Sequence, residues 1–199
     1  MSRQIALDSG GRPRERADAA RNRARVLAAA ERVFADAAGS GGVTMEDIAR
    51  AAGVGRATLY RRYPDVTSIA QALLDQHGSD VQGRILHGPP PLGPGGPPQE
   101  RLAAFYRAMV ELLEHHLHLV LGAETGRARF RTGAYAFWRR HVEVLLEQAG
   151  AAAPPAVVDA LMAPLAPEVY EYQRKQRGLG PDQVVAGLDW LTRCVCAGG

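Results

Sequence analysis

Residues 44–65, TMEDIARAAGVGRATLYRRYPD, constrain this chain more than any other stretch, because their punctuation leaves room for only two short helices. Thr44, followed three residues later by Asp47, is a capping-box start with Asp in place of the usual Glu or Gln. The spacing predicts a helix from 45 to about 52 with Ile48 and Ala49 facing inward. Gly53 supplies the left-handed backbone that a tight corner requires, and Val54 an apolar plug for it. A second helix, about 56 to 63, is ended by Pro64, which disfavours helical backbone in the residue before it.

Upstream, residues 17–38 are rich in Ala, Leu, Val and Arg and contain no Gly or Pro, with Leu27, Ala30, Val33 and Phe34 at helical spacing. The glycines of 39–42 end that helix. Phe34, Ile48, Val54 and Leu59 are then the expected small core of a three-helix unit. Residues 1–17 mix Gly, Pro, Ser and Arg without periodicity and read as a mobile basic arm. Residues 1–65 hold 12 Arg against 8 acidic residues, whereas the remainder holds 12 basic and 13 acidic, so the chain's excess charge of +3 resides at its N-terminal end. That asymmetry points to an anionic partner there. A helix of about eight residues fits the DNA major groove. Arg56 and Thr58 at its exposed start are candidates to read base edges, Arg being the commonest reader of guanine. Tyr60, Arg61, Arg62 and Thr44 are positioned for phosphate oxygens, and Arg14, Arg16 and Arg21 for further groove or backbone contacts.

Residues 66–86 are helical in pattern, with Ile69 and Leu73 on one face, and form a connecting helix. The run HGPPPLGPGGPPQ, 87–99, holds six Pro and four Gly and reads as a surface loop. Strong helical segments follow at about 99–122, 133–149 and 182–197, with less regular ones at 125–131 and 156–177, where Pro164 and Pro167 imply a break. No alternating β pattern occurs, so the expected fold is all-α with about nine helices. At roughly 100° per residue, Leu102, Phe105, Met109, Leu112, His116 and Leu119 share one stripe. His116 near its middle is either a core histidine or a group that orients a ligand. Phe130, Tyr135 and Trp138 either wall an aromatic cavity with Phe105, Met109 and Leu112 or are plain core. Arg127 or Arg131 beside such a cavity would favour an anionic ligand.

Through Thr44, Ile48, Ala49, Ala52, Gly53, Val54, Thr58, Leu59, Tyr60, Tyr63 and Pro64, the sequence resembles the TetR family of transcriptional regulators. It departs where the family often has Phe (here Tyr63) and Lys (here Val66). The resemblance implies a helix-turn-helix domain at 18–65 and an effector-binding and dimerisation domain at 66–199. It also implies a homodimer on a pseudo-palindromic operator of double-stranded DNA, acting as a repressor released by a small, mostly apolar effector. In such a dimer the last two helices, 156–177 and 182–197, pair with their copies, and Val184, Val185, Leu188, Leu191 and Val195 recur at helical spacing that fits either that role or core packing within one chain.

No GxSxG, P-loop, GxGxxG or HExxH occurs, and none of the five serines is paired with a plausible base, so neither an enzyme nor a cofactor is expected. The alternative is a metal-dependent sensor or enzyme using Glu111, His115 and His118, at i, i+4 and i+7, with Cys194 and Cys196. No apolar run approaches the roughly 20 residues of a membrane span. The first residues lack a secretory pattern and the two cysteines cannot frame a disulfide-rich domain, so the expected location is cytoplasmic.

Overall fold

Strong helix formers fill the chain from Gly11 onward, and helix α1 (Gly11–Ala37) starts six residues ahead of the expected position. Pro13 is tolerated because it lies in the first turn, whose N–H groups have no intrahelical acceptor. In this computed structural model the described residues are 11–37, 42–123, 126–151 and 155–197. The first ten residues of the expected arm, the side chains of Arg14 and Arg16, and most of the expected glycine break at 39–42 lie outside them.

The chain divides into two units, Met1–Leu73 and Leu74–Gly199. In the first, α1 packs on α2 (Met45–Ala52), and α3 (Arg56–Arg62) follows. Leu27, Ala30, Phe34, Ile48, Ala49 and Leu59 are buried as expected, each large apolar side chain contributing about 1.5–3 kcal/mol relative to exposure. Val54 is only half-buried. The division falls inside α4 (Val66–His87), eight residues beyond the expected boundary at 65. The physical reason is that the first two turns of α4 carry core residues, Ile69 and Leu73, both fully buried.

In the second unit, α5 (Pro98–Ala123) packs against α6 (Gly133–Gln148), α8 (Pro167–Glu171) and α9 (Pro181–Ala197), and α7 (Pro155–Met162) lies on α6. Leu102, Phe105, Tyr106, Val142, Leu145, Leu161 and Tyr170 form its core. The Tyr106 hydroxyl donates to the Leu161 carbonyl at 3.1 Å, satisfying an otherwise costly buried group. The prolines of the 156–177 segment act as expected. After α7 comes a 3-10 turn, Ala163–Leu165, then extended backbone at Ala166 before Pro167 opens α8 at its first position. A π turn, Tyr172–Gln176, ends this stretch, and Glu114 of α5 binds it. Glu114 accepts from the Tyr170 hydroxyl at 2.5 Å and from both Nε and Nη2 of Arg174 at 2.9 and 2.8 Å. The Arg174 hydrogen bonds hold the Glu114 carboxyl below the usual carboxylate range.

The Pro/Gly run is the expected loop, built of successive turns. Leu92 is buried, and a side chain added at Gly93 would meet the Gly88 carbonyl oxygen at 1.8 Å. No helix among the described residues is long and apolar enough to cross a membrane.

Candidate nucleic-acid interface and ligand cavity

The corner between α2 and α3 is built from backbone chemistry. The Thr44 hydroxyl accepts from the Asp47 amide at 3.2 Å and donates to the Asp47 carboxylate, which also accepts from the Thr44 amide at 3.3 Å. This is the expected capping box, and the Thr44 hydroxyl bond holds Asp47 below the usual carboxylate range. At the other end Gly53 is left-handed, φ 62°, with its amide bonded to the Arg50 carbonyl and the Val54 amide to that of Ala49. That pair of bonds is a Schellman closure, which turns the chain sharply into α3.

In α3 only Leu59 is buried; Arg56, Thr58, Tyr60, Arg61 and Arg62 all face solvent. Tyr63 is extended ahead of Pro64, as the proline requires, and its ring is buried. Its hydroxyl has no hydrogen-bond partner among the described residues. Two of the outward arginines are already engaged. Arg56 pairs with Glu46 of α2 at 3.3 Å, and Arg62 donates to the Ala19 carbonyl of α1 at 3.3 Å. The first is a solvent-exposed pair, cheap to exchange for an anion, whereas the second ties α3 to α1. Thr58, Arg61 and Arg62 line one groove with Asp18 and Asn22 of α1. Arg21, expected as a further contact, is exposed and paired with Asp18. A feature missed in the sequence is Asp65, which caps α4 by accepting from the amide and hydroxyl of Ser68, both at 2.7 Å. The signal, Asp three residues ahead of Ser behind a proline, was present.

The second unit contains an apolar cavity of about 70 Å³. Met109, Leu112, Tyr135 and Trp138 line it, with Leu74, Leu113 and Met162. Three expected residues do not. Phe105 is fully buried core, in ring contact with Trp138 at 6.1 Å and His141 at 5.4 Å. Phe130 is 53% exposed and presents its ring edge-on to Tyr135 at 5.0 Å. His116 has non-helical backbone, φ −126° and ψ 17°, so α5 kinks there and the face computed for a straight helix does not continue. Its ring stacks on His77 at 4.0 Å and lines a separate, polar cleft with Asp80, Glu111 and His115.

The arginine at the cavity is neither Arg127 nor Arg131 but Arg129, carried on the 3-10 turn Gly126–Arg131. For the metal alternative, His115 Nδ1 is bonded to the Glu111 carbonyl at 2.8 Å, and Cys194 and Cys196 are an exposed and a half-buried thiol on α9. The side chain of His118 lies outside the described residues. The buried histidine that the sequence reading overlooked is His141 of α6. Burial, aided by the Arg101 charge, pushes it down to about 4.

A capped helix, a left-handed glycine corner and a second helix that buries one side chain while exposing arginines define the first unit as a helix-turn-helix head. Residues 26–73 match the family described as bacterial regulatory proteins, tetR family, ending at the same Leu73 that closes this unit. The likeness to that family covers residues 26–73 of the 199. An HTH-type transcriptional regulator of Mycobacterium tuberculosis is 54% identical over 39 residues, which span 20% of this chain and 21% of the relative. The match therefore spans about a fifth of the length of that relative. Among solved structures, a TetR-family transcriptional regulator from Rhodococcus sp. superposes with a TM-score of 0.65 at 18% identity, covering 88% of this chain and 99% of that one. NalD, the secondary repressor of the MexAB-OprM multidrug efflux pump in Pseudomonas aeruginosa, gives 0.56 at 22% identity, covering 88% and 95%. At these identities the likeness of the whole chain is one of all-α fold.

Proposed function

We propose that this protein is a ligand-responsive transcriptional repressor that binds a pseudo-palindromic operator as a homodimer and is released by a small, largely apolar effector. The observation that carries this reading is α3, a basic helix anchored by Leu59 alone and held out to solvent by the capped corner before it. Arg56 and Thr58 read bases; Tyr60, Arg61 and Arg62 hold phosphates. The Thr44 hydroxyl serves the α2 cap, so its contribution to a phosphate contact is to hold the N-terminus of α2 in place. NalD, of similar fold, is a repressor.

Pairing through the last helices is supported by the apolar side chains they leave in solvent: Trp190 is 61% exposed, Tyr172 46% and Val169 39%. Of the five residues expected on that face, Val184 and Leu188 are buried within the chain's own fold, so Val185, Leu191 and Val195 remain for a partner. Effector bound in the second unit acts on DNA through α4, which runs on across the boundary into the first. Duplex DNA rewards recognition helices spaced about 34 Å apart, so a shift of a few ångström weakens binding.

The test is footprinting on DNA upstream of the protein's own gene, with nonspecific competitor present. Protection of a two-fold site is expected, and Arg56→Ala is expected to abolish it while light scattering still reports a dimer. Undiminished protection by that variant would remove Arg56 from the interface.

A further inference from the structure

Resting on the regulator reading above, we propose that the cavity of the second unit binds a small apolar monocarboxylate, with the carboxylate on Arg129 and the hydrocarbon part among Leu74, Met109, Leu113, Trp138 and Met162. Four of those five side chains offer no hydrogen bond and the fifth, Trp138, only its indole N–H, so the lining suits a short alkyl group. Arg129 breaks the apolar pattern. Its side chain is 19% exposed, and its Nε is buried with no hydrogen-bond partner among the described residues. Arginine keeps its charge at any physiological pH, so this N–H cannot be relieved by losing a proton.

The surroundings of Arg129 only partly neutralise it. Its guanidinium lies over the Phe130 ring at 4.8 Å, and its Nη1 approaches Glu168 at 3.7 Å, too far for a hydrogen bond. A planar guanidinium on the wall of an apolar cavity, with its Nε buried and unpartnered among the described residues, matches the two oxygens of a carboxylate, which accept from Nε and Nη together. Tyr135 on the same wall keeps its proton, since burial raises its hydroxyl above the ordinary range, and is a second donor of the kind a carboxylate requires. The fixed positive charge disfavours a cationic ligand, and one arginine with one tyrosine hydroxyl in a mostly apolar wall suits a monoanion better than a phosphate. The cavity volume of about 70 Å³ restricts the enclosed part to a few carbons of a short chain. An incoming carboxylate also competes with Glu168, the second residue of α8, for Arg129, which links occupancy of the cavity to the position of α8.

The experiment is isothermal titration of the full-length protein with three ligands of the same tail: hexanoate, hexan-1-ol and hexylamine. Hexanoate is expected to bind at least tenfold more tightly than hexanol, with hexylamine not binding. In Arg129→Gln, hexanoate should fall to the affinity of hexanol while hexanol is retained, which shows that the cavity is still formed. Equal affinities in the natural protein, no binding of hexanoate, or a carboxylate preference that survives in Arg129→Gln would each overturn the proposal. Adding hexanoate to the footprinting assay separates the two readings. Tight, Arg129-dependent binding that leaves the operator footprint unchanged supports the carboxylate site and refutes its role as the trigger for DNA release.

Discussion

Replacing His141 with leucine should make the protein less sensitive to acid. His141 is buried on α6 against Phe105, and its folded pKa is about 4 where the ordinary value is 6.5. Below pH 6.5 the unfolded chain therefore takes up a proton that the folded chain refuses until about pH 4. The sign follows: stability is full above 6.5, falls as pH drops through that window, and levels off near the folded value. With those two values, moving from pH 7.5 to pH 5 removes about 2 kcal/mol through this one side chain. Leucine has similar bulk and no proton to gain, and the His141 Nε2 it replaces has no hydrogen-bond partner among the described residues. Urea unfolding followed by circular dichroism at pH 7.5 and pH 5, at one protein concentration, measures the effect. The other titrating groups are common to both proteins and cancel in the comparison. His141→Leu should gain about 2 kcal/mol over the natural protein on going from pH 7.5 to pH 5. Parallel pH dependence in the two proteins would refute a neutral, buried His141.

Two further substitutions test the packing around the candidate sites. Tyr63→Phe removes a buried hydroxyl with no partner among the described residues, so the first unit should gain about 1 kcal/mol, read as a higher Tm; a lower Tm would mean the hydroxyl is satisfied. Gly93→Ala places a side chain 1.8 Å from the Gly88 carbonyl oxygen, and that backbone clash should cost about 1–3 kcal/mol in urea unfolding, a neutral result showing that the turn gives way freely.

Features governed by neighbours in the chain were legible from residue types alone. The Thr44–Asp47 box, the left-handed Gly53, the end of α3 before Pro64 and the breaks at Pro164 and Pro167 all depend on contacts within five residues. The outward set of α3 was legible for the same reason, since in so short a helix one apolar residue, Leu59, settles which side is buried. The sequence thus determined by itself a helix-turn-helix head, an all-α fold and the residues that head presents to solvent.

Only the tertiary structure decided what lines the cavity. The stripe on α5 assumes a straight helix, and the kink at His116 places that residue outside the cavity lined by Met109, in a stack with His77, 39 residues earlier in the chain. Arg129, rather than Arg127 or Arg131, reaches the cavity because its turn is 3-10, whose faces differ from those of an α-helix. The fate of His141 and the division of α4 at Leu73 likewise follow from which helices pack together. Burial and cavity shape are properties of contacts between segments distant in sequence, and local periodicity fixes which face a helix offers without naming the partner that covers it.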